Sequence, residues 1–337
     1  MEPGGERRTG VRMAVASVVV AVFLGAHAAS GRLTLVHVLF AGVCLLAVLM
    51  LDRWRPVVMF FLPLFVLLGV YDLQRFLVAR VTSVPVHVAE LHAWELAWFG
   101  IPTPTGRVTP AAWFQTHTSA VLDLVCGLAY LGYFTLFLAM AAWWRFGLRR
   151  DTSQLVTWAA LLLHLGGYLV HLTYPTAPPW YVDHYGLGPA VLTAQAEAAG
   201  AARFDELLGI SWFASSYTNS ANVFGACPSL HVGQVFLAVL FAWRFRSLRI
   251  VATTGWLVVV LASVYLNHHY LVDGLVGMAF AVGAYALVVT GDRRWPTRLS
   301  KAPRRTPAAS EITEKQEPAV LGVAPVLGHD RRRWPEE

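Results

Sequence analysis

Runs of mostly apolar residues, separated by short polar segments, fill most of the chain. They cover 11–29, 33–51, 56–77, 119–143, 154–174, 230–246, 249–267 and 270–290. Each is near the ~20 residues that a helix needs to cross a bilayer. None shows the strict apolar–polar alternation of a barrel strand. The pattern predicts an all-α, polytopic transmembrane helical bundle of about eight spans. The first run follows Arg7, Arg8 and Arg12, as a secretory signal would. It has no convincing small-residue cleavage site and further spans follow, so it reads as a mature helix.

The spacing of the runs divides the chain into four parts. Residues 1–77 hold N-terminal transmembrane helices, 78–118 an outward-facing interfacial segment, 119–290 a core of further transmembrane helices and 291–337 a tail. The tail is rich in Pro, Arg and Glu, and reads as disordered and cytoplasmic, either a solvated end or a binder of anionic lipid.

Composition agrees with the membrane reading. Of 337 residues, 56% are hydrophobic and 14% charged, against about 25% charged in soluble domains. The net charge of +6 would fit a nucleic-acid partner if the basic residues were clustered. Instead 21 of the 26 fall in alternate loops and at the two termini, which topology explains without nucleic acid. Both termini are therefore expected in the cytoplasm. Residues 78–118, 175–229 and the junction near 268 are expected on the outer face. Three cysteines without a spacing pattern give no disulfide or zinc framework. No Walker loop or dinucleotide fingerprint occurs.

Three polar clusters fall at the outer ends of spans, where polar groups need a reason. His171 to Tyr181 ends the fifth span with Pro175, Pro178 and Pro179, which stop a helix. Its plain reading is a terminator with an aromatic anchor. Val223 to His231 opens the sixth span, with Ser229 as a helix cap. It reads as a capped helix with an interfacial histidine, or as an anion site built from the helix N-terminus and His231. Asn267 to Asp273 joins the seventh and eighth spans, and His269 and Asp273 share a helix face. That spacing fits a surface ion pair, a metal-ligand pair, or a carboxylate orienting a nucleophilic imidazole. Together, two histidines, one backed by a carboxylate, beside a helix N-terminus fit in-line phosphoryl transfer through a phosphohistidine. That scheme needs neither metal nor other cofactor.

Pro228-Ser-Leu-His231 and His269-Tyr-Leu-Val-Asp273 resemble the second and third motifs of the type 2 phosphatidic acid phosphatase (PAP2) superfamily. The likeness is closer to its inositol phosphorylceramide synthase, or inositolphosphotransferase, branch. The Pro175–Trp180 stretch, Ala202-Arg203-Phe204-Asp205, Phe224–His231 and His268–Asp273 occur in that branch's order across roughly residues 90–290. The resemblance implies an all-α bundle with its site at the outer membrane face. It implies His269 as nucleophile, Asp273 as its orienting group, His231 as general acid and base, and Ser229 with nearby backbone as a phosphate cradle. A lipid phosphoester is the implied substrate, with an inositol-phosphate-like group passing to another lipid or alcohol. A simple lipid-phosphate phosphatase is the alternative.

Two departures matter. Where the wider superfamily has a Lys and an Arg-Pro, this chain has His171 and Pro178-Pro179; where it has Ser-Arg, this chain has Ala262-Ser263. The usual cationic clamp is absent. Arg203, alone among arginines in 175–229, is expected to replace it, aided by His171, His268 and Tyr270. Alternatively it pairs with Asp205 or Glu206 and orders the loop. Segment 78–118 reads as an amphipathic lid or groove, or as a structural collar, and Asp123 as a residue facing the site. A transporter would need midplane polar groups, for which His164 is the main candidate. A non-catalytic scaffold is disfavoured by intact His231, His269 and Asp273.

Overall fold

The computed structural model describes residues 3–81, 84–218, 220 and 222–294. Residues 295–337, most of the expected tail, lie outside them. The eight apolar runs correspond to helices α1 (Pro3–Ala29), α2 (Leu35–Leu49), α3 (Leu51–Val81), α6 (Ala120–Ala142), α7 (Gln154–Thr173), α11 (Leu230–Phe245), α12 (Arg249–Tyr265) and α13 (Leu271–Arg294). Between them lie α4 (Ala89–Phe99), α5 (Pro110–Gln115), α8 (Pro179–Tyr185), α9 (Ala202–Leu208) and α10 (Trp212–Thr218). Strands β1 (Ile101–Thr103) and β2 (Gly106–Val108) make one antiparallel hairpin.

Among the described residues, five helices are long and apolar enough to cross a bilayer unaided, within α1, α3, α6, α7 and α13. The other three, α2, α11 and α12, have 15, 16 and 17 residues. Two of them are held by packing: α11 lies among α6, α7, α12 and α13. α3 begins before its apolar run. It bends at Trp54 (φ −115°, ψ 27°) and then accommodates Pro56 and Pro63. Exposed Val11, Val15, Val18, Val22, Leu128, Ile250 and Leu257 leave apolar helix faces uncovered by protein, as a lipid-facing surface requires.

The main core joins Phe60, Phe137, Trp144, Leu163, Leu237, Phe241 and Phe245. It sits toward the ends of α6 and α11 remote from His231. Nearer the histidines, small residues let backbones approach, as membrane helix contacts favour. Gly233 of α11 and Gly277 of α13 face each other so closely that a β-carbon on Gly233 would lie 2.8 Å from the Gly277 carbonyl oxygen. This crossing brings the start of α11 beside the start of α13.

Candidate active site

The first turns of α11 and α13 are joined directly. Ser229 caps α11 by accepting the Val232 N–H (3.4 Å), and its own N–H donates to the Asp273 carbonyl (2.9 Å). The His268 and His269 N–H groups donate to the Ser263 carbonyl at the end of α12 (3.1 and 3.0 Å). The three polar clusters of the sequence are thereby packed together.

Within this junction, Nε2 of His269 lies 3.2 Å from Nδ1 of His231. On the other side of the His269 ring, Nδ1 lies 3.5 Å from Oδ2 of Asp273. That separation is an ion-pair distance at the long limit of a hydrogen bond. Asp273 is fully buried, and Oδ2 also accepts the Tyr270 N–H at 2.9 Å. A carboxylate against Nδ1 leaves Nε2 as the nitrogen available to chemistry. Tyr130 stacks on His231 at 4.4 Å and on His268 at 5.3 Å, and its hydroxyl lies 3.2 Å from His231 Nδ1. Tyr217 also stacks on His268, at 4.5 Å.

His231, His268, His269, Tyr130 and Tyr217 line a cavity of about 470 Å³ with His164, Tyr168, His171, Gln74 and Asn222. His171 donates through Nε2 to the Pro228 carbonyl (3.1 Å). Gly225 lies against the same ring: a β-carbon there would be 3.2 Å from His171 Nδ1. His164, the mid-span exception in the sequence, belongs to this cavity and donates to the Ala160 carbonyl (2.8 Å). Burial is the main cause, and the charge of His269 the second, of a His268 pKa pushed down to about 3. His268 therefore offers a neutral imidazole.

The sequence-expected residues divide. His231, His269, His171 and His268 line the cavity, with Asp273 behind His269. Three expected substrate-binding residues sit elsewhere. Ser229 is fully buried and its hydroxyl is committed to the cap. Tyr270 packs with Leu91 and Cys227 behind the site and contributes its backbone N–H to Asp273. Arg203 lines a neighbouring cavity with Asp183, His184 and Glu197. Its Nε donates to Asp123 Oδ1 (2.7 Å) and its terminal nitrogens to Gln115 Oε1 (3.0 Å) and the Tyr265 carbonyl (3.3 Å). A guanidinium satisfied this way is occupied structurally. Its ionic partner is neither Asp205 nor Glu206. Asp205 instead accepts the N–H groups of Phe213 (3.2 Å) and Ala214 (3.0 Å) at the start of α10. Asp123, expected at the cavity, faces Arg203 and the Tyr265 hydroxyl (2.8 Å).

Segment 78–118 is fastened to the site. His87, Thr176 and Gly225 form successive parallel bridges. Glu95 of α4, fully buried, accepts the N–H groups of Leu271 (3.0 Å) and Val272 (3.1 Å). It thus caps the helix that carries Asp273. Burial is the first cause, opposed by these two hydrogen bonds, of a Glu95 pKa raised to about 7. Sequence reasoning placed segment 78–118, which holds Glu95, only as a lid, groove or collar, because a cap supplied from 176 residues away has no local signal.

An all-α membrane bundle with paired histidines and a carboxylate at adjoining helix starts is a PAP2-type arrangement. The PAP2 superfamily model matches residues 102–287, and the chain belongs to that superfamily, as an integral membrane phosphotransferase or phosphatase. It is 32% identical over 276 residues to the phosphoinositol dihydroceramide synthase of Bacteroides thetaiotaomicron, covering 79% of this chain and 87% of that protein. It is 36% identical over 169 residues to the inositol phosphorylceramide synthase of Candida albicans, covering 49% of this chain but 35% of the relative. For the inositol phosphorylceramide synthase catalytic subunit of Saccharomyces cerevisiae the identity is 38% over 118 residues, covering 34% and 29%. The chain thus spans about a third of the length of these fungal relatives. No solved structure matches it.

Proposed function

We propose that the protein transfers a phosphorylated head group, of the inositol-phosphate kind, from a phospholipid to the hydroxyl of a second lipid. His269 Nε2 attacks phosphorus, an N–P bond forms, and the P–O bond to the donor's diacylglycerol breaks. His231 gives its proton to the departing oxygen. It then takes the proton of the acceptor hydroxyl, whose oxygen attacks phosphorus as the N–P bond breaks. Asp273 holds the His269 tautomer and offsets imidazolium charge. At 3.2 Å the two imidazoles are hydrogen-bonded to each other. A phosphoryl group in line between nucleophile and acid needs more room, so substrate entry parts the rings.

The observation that carries this reading is the His231–His269–Asp273 relay in the wall of a cavity within a membrane bundle. The lining supports transfer over phosphatase action on a monoester. Its described hydrogen-bonding side chains are imidazoles, phenols, serine hydroxyls, indoles and amides. Neutral donors match the single charge of a phosphodiester. A phosphomonoester carries about −1.5 to −2 at neutral pH and calls for cations. The activities that the relatives are named for support inositol phosphate as head group and a ceramide as one acceptor to test. The arginine distribution supports cytoplasmic termini and a site at the outer face.

Purified protein would be incubated with phospholipids labelled in the head group, with and without lipid alcohols including dihydroceramide, beside His269→Ala. A new labelled lipid phosphodiester, absent with His269→Ala, is the expected result. Free phosphate alone would replace the transferase reading by phosphatase action. Equal activity of His269→Ala would reject the mechanism.

A further inference from the structure

A second polar cluster lies outside the catalytic cavity, among the N-terminal helices. His27 ends α1, His37 lies in the first turn of α2 and Asp72 lies late in α3. Nε2 of His27 is 2.5 Å and Nε2 of His37 is 3.1 Å from the same Asp72 oxygen, Oδ2. One donor atom from each residue falls within 4.8 Å of the others. His27 is fully buried, and its ring packs against Phe23 (4.6 Å), His37 (4.1 Å) and Phe76 (5.0 Å). Helices that are otherwise apolar thus converge two imidazoles and a carboxylate, His27 fully buried and His37 and Asp72 partly buried, where polar groups are costly.

The orientation of the rings is informative. His27 Nδ1 lies 2.8 Å from the Phe23 carbonyl, an acceptor only, so Nδ1 carries a proton. The same outer contact that orients metal-binding imidazoles then aims Nε2 at Asp72. His37 Nδ1 accepts the Thr34 N–H (3.0 Å), so its Nε2 carries the proton and donates to Asp72 (3.1 Å). A metal ion would displace that proton, as metal binding to imidazole does, and the Thr34 hydroxyl, 2.9 Å from Nδ1, is a partner able to accept a proton moved there. Both Nε2 atoms would then present lone pairs to one point beside the carboxylate. A single proton pairs one nitrogen with Asp72; a dication takes both. Two imidazoles and one carboxylate form a donor set suited to zinc and its neighbours, with room for a further ligand.

We propose that His27, His37 and Asp72 form a binding site for a divalent transition-metal cation of the zinc type. The ion would clasp α1 and α2 to α3. Tyr71 and Gln74, on either side of Asp72 in α3, line the catalytic cavity, so the clasp would also steady one of its walls.

The test uses the full-length, tag-free protein in detergent or nanodiscs, dialysed against Zn²⁺ and analysed for bound metal. Co²⁺ loading is followed by visible absorption. Stoichiometric zinc and the intense visible bands of four- or five-coordinate Co²⁺ are expected. His27→Ala and His37→Ala should each weaken zinc binding by about tenfold or more, whereas His269→Ala should retain it. Absence of stoichiometric zinc in the wild type overturns the proposal. So does retention of zinc by both N-terminal variants, or its loss with His269→Ala, which would put the ion in the catalytic cavity. If His27→Ala does not fold, Asp72→Asn, which keeps the side-chain shape and removes the anionic donor, gives the same reading.

Discussion

Gly277 of α13 lies so close to Ser229 that a β-carbon on it would collide with the Ser229 carbonyl oxygen. The partner atom is backbone, and the Ser229 N–H is itself bonded to the Asp273 carbonyl at 2.9 Å. Two helices and two candidate site residues, Ser229 and Asp273, thus share one contact. Gly277→Ala is expected to destabilise the protein by about 1–3 kcal/mol and to lower kcat by separating His231 from His269. Gly283→Ala, on the same helix with nothing within 4 Å, should leave both unchanged. Thermal unfolding and turnover of the two variants check this.

His269 and Asp273 are expected to fail differently. His269→Ala should give neither transfer product nor acid-labile phosphoenzyme. Asp273→Asn keeps the nucleophile but loses tautomer control, so kcat should fall by about 10²–10⁴ with KM little changed. Rapid-quench trapping with labelled donor, compared with steady-state rates, separates the two.

Glu95 should give the folded state a pH dependence. Its carboxyl is raised from 4.5 to about 7, chiefly by burial. Between those values the folded chain holds a proton that the unfolded chain has released. The associated stability is therefore complete below about pH 4.5 and is lost as pH rises through about 7. The melting temperature is expected to decline across that window and level off above it. Glu95→Gln should flatten the slope in that window; melting curves from pH 4 to 8 in one detergent measure it.

Arg203 is expected to behave as a structural ion. Arg203→Ala leaves the Asp123 carboxylate, 8% exposed, without its cation. It should destabilise the fold more in the wild type than in an Asp123→Asn background, with a coupling of about 1–3 kcal/mol. The KM for the lipid donor should stay near the wild-type value in those molecules that remain folded. A large KM increase without loss of stability would restore the phosphate-clamp role. A double-mutant cycle on melting temperature, with kinetics on the same samples, decides.

The sequence by itself determined the helical membrane architecture. The bilayer demands long apolar helices, and that demand is written locally, residue after residue. It also singled out the trio that we propose reacts. His269 and Asp273 are four apart on one helix, and His231 follows a helix-capping serine, so their chemistry is carried by short-range spacing. Tertiary structure alone decided which polar groups line the cavity. Arg203 read as a phosphate clamp or as a partner of Asp205 or Glu206 because its partners, Asp123, Gln115 and Tyr265, are brought in from distant parts of the chain. Glu95 appeared to belong to a lid because the N–H groups it accepts are on α13. The His27–His37–Asp72 cluster was invisible for the same reason: each residue is an isolated polar position in an apolar run until three helices pack. Periodicity and motifs encode contacts within a few residues. Electrostatic satisfaction inside a membrane bundle is settled between helices.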